Sequence, residues 1–274
     1  MTILNNSKYI GILGCGWLGK ALAQKLILNH YKVKATTTRI EKIEDLEKIG
    51  VNAYQIELKP NFVKGDFNQF LNDLDVLVIA IPPQLKKGED YFYKALEHIF
   101  NKYDFSTLEK LIYTSSTGVF ADGIEKTYDE NSNPSNTSQR GKKLIDLEEL
   151  VLAQKQIPHP IILRYGGLIE NEGRHPVHFL SGKENIPNPE APINFIERKD
   201  AVNLLYKIIN KPNAFKIYHG VSPEHPKRID YYTKKAKSLN LKPPKFNTSE
   251  VSKGKIIKSE LTQNTLNFRY KNGI

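Results

Sequence analysis

Cysteine is nearly missing from this chain: 274 residues contain one, Cys15. A lone cysteine cannot close an internal disulfide, so a reducing compartment is expected. Long apolar runs are missing too, and none approaches the roughly 20 residues of a bilayer-spanning helix. No charged stretch followed by a long apolar one opens the sequence, so the expectation is a cytoplasmic protein with no membrane partner. Lysine and arginine outnumber acidic residues 40 to 30, a net charge of +10. The basic residues are scattered, as in Lys86-Lys87, Lys142-Lys143 and Lys234-Lys235, with no block of five or six and no nucleic-acid-binding motif. Nucleic acid is therefore not expected as a partner, and the excess charge reads as a solvated surface that also favours anionic ligands. Metal-ligand spacings are absent: no cysteine pair, no His-x-x-x-His helix, no suitable carboxylate cluster.

What is present is glycine in a telling place. Gly14-Cys15-Gly16-Trp17-Leu18-Gly19 follows Tyr9 to Leu13, a short apolar run suited to a buried parallel strand. After it, Leu18, Ala21, Leu22, Leu26 and Ile27 recur at helical spacing. Strand, glycine turn and helix together form a dinucleotide-binding fingerprint. Gly14 permits the tight turn, Gly16 lets the backbone approach a pyrophosphate, and Gly19 removes a side chain where helix and strand pack. The first-turn N–H groups and the helix dipole then face the phosphates. Cys15 has no local partner to activate it as a nucleophile, and its place in the loop accounts for a small residue.

The first half continues the alternation. Tyr31 to Thr36 and Asn52 to Leu58 read as strands, with a helix from Ile40 to Ile49 between them. Asp75 to Ile81 is an apolar β-branched run halted by Pro82-Pro83. Helices are expected over Tyr91 to Tyr103 and Ser138 to Gln154, and strands over Leu111 to Thr114 and Ile161 to Arg164. Such succession predicts an α/β fold of Rossmann type, a doubly wound parallel sheet with right-handed crossovers. Beyond Tyr165, glycine and proline break the periodicity. The expected division is a dinucleotide-binding domain over 1–165, rejoined by 194–219, and a smaller, partly interleaved substrate-side domain over 166–193 and 220–274.

The segment after the second strand bears on which dinucleotide. NAD sites place an acidic residue there to accept from the ribose 2′-hydroxyl. This chain has Thr36-Thr37-Thr38-Arg39. A carboxylate repels a 2′-phosphate, whereas hydroxyls and a guanidinium bind it, so NADP is favoured over NAD, with Glu41 and Glu44 close enough to keep NAD in play. The candidate cofactor set is Gly14 to Gly19, Thr37, Thr38, Arg39, the strand end at Ala80 and Pro82, and Tyr165 beyond a later strand. The loop Gln84 to Glu89 reads as a reach toward a substrate phosphate, and Arg174 and Lys183 as a clamp for a diphosphate.

At Leu111 to Ala121 the chain reads Leu-Ile-Tyr-Thr-Ser-Ser-Thr-Gly-Val-Phe-Ala. With the glycine loop, this resembles the extended short-chain dehydrogenase/reductases. The likeness runs on through Glu130, Pro134, Leu163 to Leu168, Gly173 to Pro176, Phe195-Ile196 before Asp200-Ala201, Ile217 to Val221, Pro243-Pro244 and Gly254-Lys255. It is strongest toward an atypical subgroup of epimerase- and dehydratase-like proteins whose first turn also reads Gly-Cys-Gly-Trp-Leu-Gly or nearly so. The resemblance implies an NAD(P)-dependent enzyme acting on a sugar nucleotide or related small molecule, with a homodimer as a common assembly. It also implies Ser116 as the group that hydrogen-bonds the reacting oxygen, and Lys142 as the lysine of a Tyr-x-x-x-Lys pair, whose ammonium favours tyrosinate for proton transfer.

The tyrosine of that pair is absent. Aligning Lys142 puts Ser138 at its position, and aligning Lys143 puts Gln139 there. Three alternatives stay open: another tyrosine (Tyr113, Tyr128 or Tyr165, the first expected to pack in the sheet), a histidine (His175 or His178), or a protein that binds NADP without turnover, as a regulator or interaction protein.

Overall fold

The computed structural model describes residues 8–82, 88, 90–212 and 215–274. The chain divides into two compact units, the first comprising Met1–Ser115, Ser138–Leu163 and Val202–Ile217, the second Ser116–Thr137, Arg164–Ala201 and Tyr218–Ile274.

The first unit is built on a parallel sheet. β1 (Tyr9–Leu13) pairs with β2 (Lys32–Thr37) on one side and β6 (Val76–Ile79) on the other; β2 pairs with β3 (Asn52–Gln55), and β6 with β7 (Lys110–Ser116), all in parallel. With β9 (His159–Tyr165) and β12 (Ile217–Gly220), the order is β12-β9-β7-β6-β1-β2-β3. The chain runs outward from β1 to β3, then returns to the other side of β1 at β6. That reversal is the topological switch point beside which ligands bind in open α/β sheets. A two-stranded antiparallel ribbon, β4 (Glu57–Leu58) with β5 (Val63–Lys64), follows β3.

β1 and β6 are apolar along their length, as strands covered on both faces must be. α1 (Trp17–Leu28) buries Leu18, Leu22 and Leu26. α4 (Tyr91–Lys102) and α5 (Gln139–Leu152) pack on the sheet through Phe92, Leu96, Ile99, Leu147 and Val151. α3 (Phe67–Leu71) was not anticipated from the sequence. It is capped by Asp66, whose carboxylate accepts from Gln69 N, and it buries Phe67 and Phe70 in the same core. The expected helix over 40–49 begins as a 3-10 turn, Ile40–Lys42, before α2 (Ile43–Glu47). The expected strand over 52–58 breaks at Ile56 into β3 and β4.

The second unit has a smaller core of Ile169, Val177, Ile193, Phe195, Tyr231, Tyr232 and Ala236. Its sheets are short parallel pairs: β10 (Gly167–Ile169) with β11 (Phe195–Glu197), and β8 (Lys126–Tyr128) with β13 (Lys255–Ile257). α6 (Val177–Leu180), α8 (Arg228–Ser238) and α9 (Glu260–Leu266) belong to it, while α7 (Arg198–Asn210) begins in it and continues into the first unit. Among the described residues no helix is long and apolar enough to cross a membrane.

Candidate functional site

The glycine turn is held open by its own neighbours. Gly14 has φ +101°, in the region that disfavours side chains, and a Cβ there would meet Ile81 Cγ1 at 2.6 Å. Gly14 N donates to Thr36 Oγ1 at 2.9 Å and Cys15 N to Thr36 O at 2.7 Å, fastening the turn to β2. Gly16 caps α1 without a side chain, and a Cβ there would meet nothing within 4 Å. A Cβ on Gly19 would meet Gly14 O at 2.6 Å. Helix starts leave N–H groups without helical acceptors, so this cradle can take an anion where Gly16 offers open space.

A cleft of about 220 Å³ opens beside that cradle. Of the predicted cofactor residues it gathers Gly14, Cys15, Gly16, Thr37, Thr38, Arg39, Ala80 and Pro82, from the carboxyl ends of β1, β2 and β6. Trp17, Leu18 and Gly19 form the helix start beneath it and can contribute through the backbone. Tyr165 lies in the second unit, buried, its hydroxyl donating to Ala201 O at 2.7 Å. The cleft also takes in Lys42 and Glu57, neither of which was singled out from the sequence. Glu57 is paired with Lys59 at 2.6 Å. Glu41 and Glu44 are exposed and do not line the cleft, and Glu44 pairs with Lys48 at 2.8 Å. Burial pushes the Cys15 thiol up to about 11, against the opposing charges of Lys20 and Lys42. Burial thus favours the thiol over the thiolate, the form that reacts as a nucleophile.

Ser116, in the second unit, ends β7 and caps the short turn Thr117–Val119, its hydroxyl accepting from Gly118 N at 3.1 Å. Lys142 lies in the first unit, exposed on the first turns of α5. Ser138 is the N-cap of that helix: its Oγ accepts from Gly141 N at 3.1 Å, and its carbonyl accepts from Lys142 N at 2.9 Å. Of the two positions aligned with the tyrosine, Ser138 is thus spent on starting the helix, and Gln139 is the first residue within it. Arg140, Lys142 and Lys143 crowd the positive end of α5, with no acidic residue in its first turn. That arrangement opposes the helix dipole.

The proposed stand-ins for the tyrosine differ sharply. Tyr113 is fully buried, and burial drives its phenol well above the ordinary range. Tyr165 is buried and raised for the same reason. His175 is buried, with Nδ1 accepting from Val177 N at 3.1 Å and Nε2 facing Tyr231 Oη at 2.7 Å; burial lowers it to about 4. It is a core histidine of the second unit. Tyr128 is half-buried, stacked on Phe120 at 4.5 Å, with its hydroxyl donating to Ala121 O and accepting from Ser135 Oγ. His178 is exposed. The expected phosphate contacts at Lys86 and Lys87 lie outside the described residues.

Residues 9–88 match the sequence model of a family described as NADP oxidoreductase, coenzyme F420-dependent. Protein YeeZ of Escherichia coli (strain K12) is 30% identical over 269 residues, covering 96% of each chain. Among solved structures, the UDP-glucuronic acid 4-epimerase of Bacillus cereus in complex with NAD aligns with TM-score 0.76 at 18% identity, over 97% of this chain and 92% of that one. A functionally unknown conserved protein from Silicibacter pomeroyi aligns equally well, TM-score 0.76 at 18% identity over 97% and 94%. The fold is thus the one shared by NAD-dependent epimerases and dehydratases of sugar nucleotides, and the chain belongs to the family of Protein YeeZ.

Proposed function

We propose that this protein binds NADP in the cleft beside Gly14 to Gly16 and acts on a sugar nucleotide or a related small molecule. The observation that carries the reading is the cradle itself: a turn fastened to β2, a side-chain-free cap at Gly16, and hydroxyls and cations where a 2′-phosphate would stand. Gly16, whose own N–H donates to Gly14 O, leaves room for the pyrophosphate, backbone N–H groups of Trp17 and Leu18 hold it, Thr37, Thr38 and Arg39 hold the 2′-phosphate, and Ala80 and Pro82 line the strand end on the far side. When bound, NADP supplies transient hydride exchange. Ser116 polarises the substrate oxygen and Lys142 holds a ribose hydroxyl. Of the groups weighed for the missing tyrosine, Tyr128 and His178 are the ones not locked in a core, and the Tyr128 hydroxyl is held between Ala121 O and Ser135 Oγ.

A second reading, an NADP-binding regulator without turnover, is favoured by one observation: Ser138 is committed to capping α5 and has no useful pKa. A thermal-shift titration with NADP, NAD and UDP-glucose separates the two. NADP at about 100 times its dissociation constant should stabilise by about 2.7 kcal/mol. A shift with neither dinucleotide defeats the cofactor assignment. A shift with NADP, none with UDP-sugars, and no change in NADPH absorbance on incubation with them selects the regulator.

A further inference from the structure

The segment leaving β2 does not enter an α-helix directly. It makes one 3-10 turn, closed by Lys42 N donating to Arg39 O at 3.1 Å. Arg39 is the extended residue before the turn and Lys42 closes it, and both line the cleft. Arg39 is exposed and long, whereas Lys42 is half-buried and so more restrained.

The acidic residues nearby are either outside the cleft or paired. Glu44 pairs with Lys48 and, like Glu41, does not line the cleft; Glu57 does line it, with its carboxylate paired to Lys59 at 2.6 Å. Across the cleft, Thr37 Oγ1 accepts from Arg39 N at 3.2 Å, which ties the turn back to the strand end and leaves the hydroxyl its proton to donate. The result is two cations and two hydroxyl-bearing residues, Thr37 and Thr38, converging from one short stretch of chain. Lys42 also acts on the interior of the cleft, since its charge is felt at the Cys15 thiol.

We infer that Lys42 is a specificity-determining residue, the second cation of a two-cation seat for the 2′-phosphate, joined to Arg39 by the bond that closes the turn and lining the same cleft. This rests on the reading of the cleft as a dinucleotide site and extends it to a residue that spacing alone did not single out. A dianionic phosphate between two cations gains charge-assisted hydrogen bonds from both. A 2′-hydroxyl gains nothing comparable from Lys42, so the lysine discriminates between the two dinucleotides.

The test is isothermal titration of the full chain and of Lys42→Ala with NADP, NAD, adenosine 2′,5′-bisphosphate and AMP. Lys42→Ala should weaken NADP and the bisphosphate about tenfold, the loss of one charge-assisted contact, while NAD and AMP change less than about twofold. Lys42→Arg should restore most of the preference. Lys42→Met, which keeps the aliphatic stem, should behave as the alanine variant and guards against a loss of packing. An equal loss for all four ligands, or none for NADP, overturns the inference while leaving the cofactor reading intact. Preference of the unaltered protein for NAD does the same. Failure of the unaltered protein to bind any of the four overturns both.

Discussion

Gly16 and Gly19 share a loop but answer to different demands, and alanine distinguishes them. At Gly16 a Cβ meets nothing of the protein, so Gly16→Ala should leave the melting temperature within a degree or two yet abolish detectable NADP binding, because the methyl stands where the pyrophosphate approaches. At Gly19 a Cβ would press on Gly14 O at 2.6 Å and Ile12 Cγ2 at 3.2 Å. Gly19→Ala should therefore cost about 1–3 kcal/mol of stability, as overpacking does. Denaturant melts and a binding titration on the two variants check the split, and equal stability losses would refute it. The turn at Gly14 and the close packing at Gly19 were legible because a strand, a turn and a helix each leave their own mark in the sequence. Lys42 was not: the run Ile40 to Ile49 reads as one α-helix, and nothing in its pattern says that Lys42 lines the cleft with Arg39. Ser138 was legible as a departure from the family but not as an N-cap, since a cap is defined by where the helix starts.

At the scale of elements, two lysines of the sheet hold the ends of two helices. Lys110, at the start of β7, is buried and its Nζ donates to the carbonyls of Ile208, Ile209 and Lys211, each at 2.9 Å. It caps the carboxyl end of α7, where orphan carbonyls and the dipole favour a cation. Lys34 of β2 does the same for α3 through Gln69 O and Asn72 O, at 2.9 and 2.7 Å. Lys110→Met should cost about 2–4 kcal/mol, because it leaves buried carbonyls unpaired, and urea unfolding at pH 7 measures it. A loss below about 0.5 kcal/mol would show that water replaces the ammonium there. The long strands and helices were readable from apolar runs and periodicity. The pairs β8 with β13 and β10 with β11 were not, since three residues carry no period and their partners lie far along the chain. What holds β13 is partly a side chain: Asn194 Nδ2 donates to Lys255 O and its Oδ1 accepts from Ile257 N, in the manner of a strand partner. No local pattern announces such a clasp.

For the molecule as a whole, the second unit is where acid should act first. His175 and His219 are buried and lowered to about 4, and burial lowers His225 as well. The geometry supports the direction. His175 Nδ1 accepts from Val177 N and cannot do so when protonated, and His219 Nε2 is buried without a partner while Nδ1 faces Lys258 O at 2.8 Å. In the unfolded chain a histidine takes its proton near pH 6.5. Between about pH 6.5 and 4 the unfolded state therefore binds more protons than the folded one, so stability falls as pH drops through that window and is level, for these groups, above it. Each of the two fully enclosed rings contributes on the order of 3 kcal/mol across the whole window. All three histidines lie in the second unit and the dinucleotide cleft lies in the first. Calorimetry at pH 7.5 and pH 5 should show an acid-shifted transition separating from a later one, and NADP should raise the later one only, since a ligand stabilises the unit that binds it. His175→Gln, whose amide can keep one acceptor and one donor, should flatten the pH slope. Identical melting at both pH values would refute the assignment, and a single transition raised throughout by NADP would show that the two units unfold as one.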